Sequence, residues 1–513
     1  MLTISNPRMS NGLLRKNIEC AHSMFFFAVD MFCHLTTFEK VVKWLYHAVT
    51  AVLRRILGMK VTKNLTEGNV YRNLLLYTIP LILSSLLSLT YTTIDGMIAG
   101  KCIGAFAMGA ISATSSFHVL INALFIGISE GFTIYASHLF GQGNFSAIKR
   151  SIASMTWFVG MISLCVSLLV ILFRDTILDY LNVDPLLRAD AERYFIIYTM
   201  GYVVFFINMF WVRALYALGI TSFSLYISAM SAVLNIGGNL LTVLVFDMGV
   251  AGLAVSTLVS SLAASVFYII MLRKAFREMS SESVTLRFSP AAVRSSMRYT
   301  IPVAVQKMAF LGIALVIAPA INALGAAATT GYGIANQLYN IGTMTIWAAT
   351  SAFGCYTGQC VGEGNTKKIR RGVRIGFEIN SVLLLPIVLG IALLARPVVS
   401  IFFPEGYDGE AYTYAVRYAR IYVPLIYVQL VDHILHAYMR ALGRVGMVLG
   451  ATLVGGATRI AATFALIPLL GLEGAFLAEV ISWGMDAVIC LVICILRYRT
   501  DEHLTQELAL KNT

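Results

Sequence analysis

The chain has 513 residues, 58% of them hydrophobic and only 12% charged, with a mean hydropathy of +0.78 and a formal net charge of +12. Soluble domains carry about 25% charged residues, so this composition excludes a soluble globular protein and specifies a polytopic membrane protein. The excess of Lys and Arg lies in short loops, which excludes a nucleic-acid-binding domain, and the eight cysteines (Cys20, Cys33, Cys102, Cys165, Cys355, Cys360, Cys490, Cys494) are scattered without a disulfide or metal framework.

Residues 1–72 read as a cytoplasmic or interfacial extension. Met24-Phe25-Phe26-Phe27 opens an apolar run that Asp30 interrupts, so neither a signal peptide nor a span forms there. Residues 39–57 place Val42, Leu45, Val49, Val52 and Leu53 at helical spacing among Lys40, Lys43, Arg54 and Arg55, as an interfacial amphipathic helix does. The alternative is a translation start at Met59. A spanning helix needs about 20 apolar residues, and twelve such stretches follow. In the first half they run over 74–99, 108–136, 151–173, 194–216, 222–246 and 250–272. The second half supplies 299–323, 328–356, 373–395, 414–439, 446–469 and 473–496. This gives an all-α fold: a six-helix lobe over 73–272, a linker over 273–298, a second six-helix lobe over 299–497 and a tail over 498–513.

The loops orient the chain. Lys149, Arg150, Lys367, Lys368, Arg370, Arg371 and Arg374 follow the second and eighth spans, and six arginines and lysines from Arg273 to Arg298 fill the linker. Alternate loops carry Asp175, Asp179, Asp184, Asp190 and Glu192, or Glu405, Asp408 and Glu410. The positive-inside rule therefore predicts that both termini are cytoplasmic.

The halves repeat at a shift of about 222 residues. Tyr77-Thr78-Ile79-Pro80 returns as Tyr299-Thr300-Ile301-Pro302, Gly141-Gln142-Gly143-Asn144 as Gly362-Glu363-Gly364-Asn365, Ala217-Leu218-Gly219 as Ala441-Leu442-Gly443, and Gly249-Val250-Ala251-Gly252 as Gly471-Leu472-Glu473-Gly474. Each half has an even number of spans, so the repeats are parallel, related by an axis along the membrane normal, and a site between two such lobes is a transporter arrangement.

Asp95 stands out on physical grounds, because a carboxylate within a span costs about 2.5–3.5 kcal/mol on insertion scales and so calls for a partner, a proton or an ion. Asn235 and Asn239 lie four apart on one face of the fifth span, and Thr257 lies in the sixth. Carried on spans one, five and six, the four side chains fall in the outer half of one lobe, where a carboxylate with amide and hydroxyl oxygens makes a cage for a hard cation that protonation would empty. The repeat places Ile317 opposite Asp95 and Arg459 opposite Asn235, so coupling belongs to the first lobe. Asp432, beside His433 and one turn before His436, is expected to pair with Arg459. Either could line a cavity, as could Gln306, Asn336 and Gln337. Lys307 is expected to snorkel to the cytoplasmic surface. Glu130, Glu378, Glu479 and Asp486 are lesser candidates, and Cys490 and Cys494 read as packing residues.

The stretch from Asn73 to Gly104, with Pro80, Tyr91, Asp95 and Gly100, resembles the first helix of the multidrug and toxic compound extrusion (MATE) family. The Gly-x-Gly-Asn turns with trailing basic residues, the duplication and the twelve spans resemble that family too, over about residues 65–498. The resemblance implies a V-shaped pair of lobes in a bacterial plasma membrane, working as a monomer and exporting organic cations or amphipathic drugs in exchange for Na+ or H+, with no other cofactor. It also assigns Asp95, Asn235, Asn239 and Thr257 to the family's cation site, with Asn239 standing where some members have a second carboxylate. A second reading is a flippase for a lipid-linked oligosaccharide or peptidoglycan precursor, which would place several cationic residues inside the cavity. Mainly Arg459 is expected there, so the exporter is preferred. An enzyme is excluded, since no phosphate-binding, metal-ligand or nucleophile-elbow motif is present.

Overall fold

A computed structural model describes residues 62–181, 183–219, 221–279, 287–403 and 408–510. The amphipathic segment 39–57 and the alternative start at Met59 lie outside these residues. The first half comprises α1 (Val70–Ile98), α2 (Ala105–Gly141), α3 (Phe145–Leu172), a short α4 (Arg174–Tyr180), α5 (Arg188–Met200), α6 (Tyr202–Ala217), α7 (Ser222–Leu240) and α8 (Gly249–Met279). The second half comprises α9 (Pro290–Asn322), α10 (Ala326–Gly362), α11 (Thr366–Leu393), a short α12 (Ala395–Ser400), α13 (Glu410–Arg417), α14 (Ile426–Ala441), α15 (Val445–Leu470) and α16 (Leu472–Leu510).

Among the described residues nine helices are long and apolar enough to cross a membrane, and α5 with α6, bent by 47° at Gly201, makes a tenth. The eleventh element, α10, is 37 residues long but too rich in Thr, Gly, Asn and Gln to match the apolarity of the others. The twelfth is broken: α13 passes through a π-helical turn (Tyr418–Tyr422) to α14 around Pro424. The helices also outrun the expected linker and tail, because α8 continues to Met279 and α9 starts at Pro290 behind a Ser289 cap that accepts from the Ala292 amide. Pro at the first helical position loses nothing there, since that N–H has no intrahelical partner anyway.

The repeated turns fold alike. Gly143 and Gly364 take φ of 68° and 69°, a left-handed conformation that glycine adopts at no steric cost, and Asn144 and Asn365 cap α3 and α11 by accepting from the Ala147 and Lys368 amides. At this basic end the two halves are in close contact. A Cβ on Gly141 would overlap the Gln359 carbonyl, and a Cβ on Gly362 would overlap the His138 carbonyl. Gly141 and Gly362 are repeat equivalents, as are His138 and Gln359, so the contact is reciprocal about a local two-fold. Further along α2, Gly127 and Gly131 leave no room for a Cβ against Ala304 and Thr300 of α9. Gln359 adds polar closure, donating to the Ala217 carbonyl and accepting from the Leu65 amide at 2.9 Å. The molecule is therefore sealed at the end that carries the basic turns.

Candidate functional site: a polar cage and a charged cavity

The cage forms where α1, α7 and α8 meet. Asn239 Nδ2 donates to Asp95 Oδ1 at 2.5 Å. The Asn235 amide is best satisfied with its Nδ2 2.7 Å from Asp95 Oδ1 and its oxygen accepting from Thr257 Oγ1 at 3.2 Å. Ser256 Oγ donates to the Asn235 carbonyl at 2.8 Å and holds α8 against α7. Asn239 is fully buried, and its Oδ1 has no partner among the described residues. An orphaned buried acceptor beside a carboxylate is the chemistry a cation would satisfy, since a turn of either amide exchanges donors for carbonyl oxygens. Immediately beyond the cage, α1 and α7 both pass into π-helical turns, Ala99–Ile103 and Leu241–Val245. Such turns concentrate at functional sites because they loosen the helical hydrogen-bond ladder.

A cavity of about 440 Å³ lies between the halves. On the first-half side it is lined by Ser84 and Ser88 of α1 and by Ser224 and Ser228 of α7, the same two helices that carry the cage. Ser88 and Asp95 are seven residues apart, about 10 Å along the helix. Four charged side chains also face it: Glu130 of α2, Arg213 of α6, Lys307 of α9 and Arg440 of α14. Glu130 bonds Lys307 Nζ at 3.0 Å across the two halves and stands 3.5 Å from Arg213 Nη2. Lys307 also lies 6.0 Å from the Trp347 ring centroid, and Arg440 Nη2 donates to Gln306 Oε1 at 2.8 Å.

The MatE family model matches residues 80–241 and again 302–465, one block in each half. The chain belongs to the MatE family. It is 26% identical over 304 residues to the probable multidrug resistance protein YpnP of Bacillus subtilis, covering 59% of this chain and 68% of that one. To YoeA of the same organism, also named a probable multidrug resistance protein, it is 22% identical over 67% of this chain and 76% of the relative. The Vibrio cholerae MATE transporter VcmN in its bent form superposes with a TM-score of 0.77 at 16% identity, over 85% of this chain and 98% of that one. A MOP superfamily transporter from Pyrococcus furiosus, described by the reverse polarity of its binding pocket, gives 0.78 at 16% identity over 86% and 100%. Members of the MatE family are transporters, so this chain is a transporter and not an enzyme.

Within this MatE chain several expected placements need correction. Arg459 does not pair with Asp432: its Nη2 bonds Glu479 Oε1 at 2.7 Å, because α15 and α16 form a hairpin through Gly471 that brings these two buried side chains together. Glu479 is the repeat equivalent of Thr257, so the Asn235–Thr257 contact of the first half returns in the second as an ion pair. Asp432 instead faces His436 at 3.2 Å, and His436 also meets Asp486 at 3.0 Å. Neither Asp432 nor Arg459 lines the cavity, whereas His433 does, its Nε2 accepting from Trp347 Nε1 at 3.2 Å and its Nδ1 donating to the Gln429 carbonyl. Lys307 does not snorkel to a surface but sits with Glu130 in the cavity wall, and the cations lining the cavity are Arg213, Lys307 and Arg440 rather than the expected Arg459.

Gln306 is buried behind that wall, and Asn336, half-buried, Gln337, exposed, and Tyr91, half-buried one turn before Asp95, lie outside the lining. Cys490 does more than pack: its Sγ is 3.6 Å from Asp486, and Asp432, His436, Asp486 and Cys490 place four ligand-type atoms within 4.8 Å of one another. Of the cavity's charged quartet the sequence singled out Glu130 and Lys307 but not Arg213 or Arg440, and it did not bring the four together, because they come from four different helices. A comparison of their depths below the basic turns would have exposed the set.

Proposed function

We propose that this protein is a secondary antiporter that extrudes amphipathic small molecules in exchange for Na+ or H+, with Asp95, Asn235, Asn239 and Thr257 as the coupling site. The relatives' names point to drug extrusion. The observation that carries the coupling is the cage itself, a carboxylate bonded by two amides on helices that continue into the cavity wall. With Asp95 bare, both amides turn their NH2 groups to it. A cation at Asp95 draws their oxygens instead, and a proton removes the acceptor, so either ion changes how α1 is tied to α7. Because Ser84, Ser88, Ser224 and Ser228 ride on those helices, the change is transmitted to the substrate surface. With the basic turns in the cytoplasm, the sealed end is cytoplasmic and the cavity belongs to an outward-facing state of a monomer in a bacterial plasma membrane.

The test is transport into or out of proteoliposomes under an imposed Na+ or H+ gradient, using cationic, zwitterionic and anionic fluorescent amphiphiles. One gradient should accelerate transport, and Asp95→Asn should remove that acceleration while leaving gradient-free exchange. If neither gradient accelerates movement of any probe, the antiporter reading fails.

A further inference from the structure

We infer that the central cavity takes amphiphiles with a negatively charged headgroup, with Arg213, Lys307 and Arg440 as the anion-binding residues and Glu130 as the resident carboxylate that the ligand displaces. This names the substrate class of the antiporter proposed above and rests on that reading. The lining contains three basic side chains against one carboxylate. Glu130 is shared between Lys307 and Arg213, while Arg440, held by Gln306, leaves its Nε without an acceptor among the described residues.

Asp432 and Asp486 stand behind the wall, where they face His433 and His436 and also act on Arg440, so the surplus inside the lining rests with Arg213 and Lys307, which share the single carboxylate of Glu130. His433 itself faces the cavity between Trp347 Nε1 and the Gln429 carbonyl. Surplus positive charge at membrane depth is costly unless a counter-charge arrives, and guanidinium groups bind carboxylate or phosphate oxygens with paired hydrogen bonds. Beside the cations lie Leu81, Ile134, Met344 and Trp347, an apolar surface for the remainder of an amphiphile. The first half supplies Arg213 and the second supplies Lys307 and Arg440, so a bound anion takes over from Glu130 the bridge between the halves.

Binding to the full-length protein in detergent, where no gradient acts, separates this inference from the coupling mechanism. The probes are carboxyfluorescein as a free organic anion, a fluorescently labelled farnesyl diphosphate as a lipid-linked one, and ethidium as a cation. At least one anionic probe should bind more tightly than ethidium. Lys307→Gln and Arg440→Gln should each weaken that anion by about tenfold, the scale of one charge-assisted hydrogen bond, and leave ethidium unweakened. Arg440→Lys keeps the charge but loses the planar fork, so it should bind the anion more tightly than Arg440→Gln and less tightly than the parent, which separates electrostatics from misfolding.

Glu130→Gln carries the opposite sign. It should tighten the anion, whereas a cation-selective cavity would lose its only carboxylate and its ligand with it. Carboxyfluorescein alone binding assigns a free anion, and labelled farnesyl diphosphate alone binding assigns a lipid-linked one. Ethidium binding in preference to both anions, or anion affinity unchanged in Lys307→Gln and Arg440→Gln, overturns the inference, and gradient-driven ethidium transport would then leave the antiporter intact with a cationic substrate.

Discussion

Arg459 and Asn235 occupy equivalent places in the two halves, yet one makes a buried ion pair and the other a neutral amide contact. The Arg459 guanidinium is held by Glu479 where the first half has the neutral Asn235 amide and Thr257 hydroxyl, so the second-half position carries its own cation. Arg459→Asn should therefore destabilise the protein by about 3–5 kcal/mol, the cost of leaving one partner of a buried pair alone. Part of that loss should return when Na+ or acid satisfies the freed Glu479, read as a rise in the thermal midpoint of the variant that the parent does not share. An equal response in both proteins would contradict this. The cage residues were legible in the sequence because a carboxylate in a span and two Asn residues four apart are local signals. The partner of Arg459 was not, because an ion pair depends on the rotation of α15 against α16, which side-chain spacing along one helix does not give. The same obstacle hid the cavity quartet, whose members come from four different helices.

At the level of elements, α1 and α7 share a design in which an α-helical body carries cavity serines and cage residues and then passes into a π-helical turn. A π turn satisfies fewer ideal hydrogen bonds per residue and marks the part of a helix able to rearrange. Saturating coupling ion should thus slow amide hydrogen exchange in 99–103 and 241–245 together, while the body of α3 stays unchanged. Protection confined to one of the two turns would mean that the cage does not link the helices. The apolar stretches located the long helices and missed the short α4 and α12, since hydropathy measures what a bilayer selects. Where the structure departs, α9 starts early behind the Ser289 cap and the chain breaks around Pro424, local effects to which hydropathy is blind.

For the whole molecule, the sealed end predicts a reporter already present in the chain. Cys355 and Cys360 are buried beside the α2–α10 contact, and Cys355 Sγ donates to the Tyr216 carbonyl of the other half. Gly362→Val forces a side chain into the His138 carbonyl and should part that end, so maleimide modification of Cys355 and Cys360, followed by peptide mass, should rise at least tenfold over the parent. A folded variant with unchanged labelling would place the seal elsewhere. The reciprocity of this contact has a further meaning. Gly141 against Gln359 and Gly362 against His138 are one pair of surfaces used twice, which is the isologous geometry of a two-fold homodimer. Two separate six-helix chains, each with its own Gly-x-Gly-Asn turn, could meet in the same way. The fused polypeptide retains the interface of such a pair, and what fusion added was the freedom for its halves to diverge, so that one holds a carboxylate between neutral amides and the other an internal salt bridge.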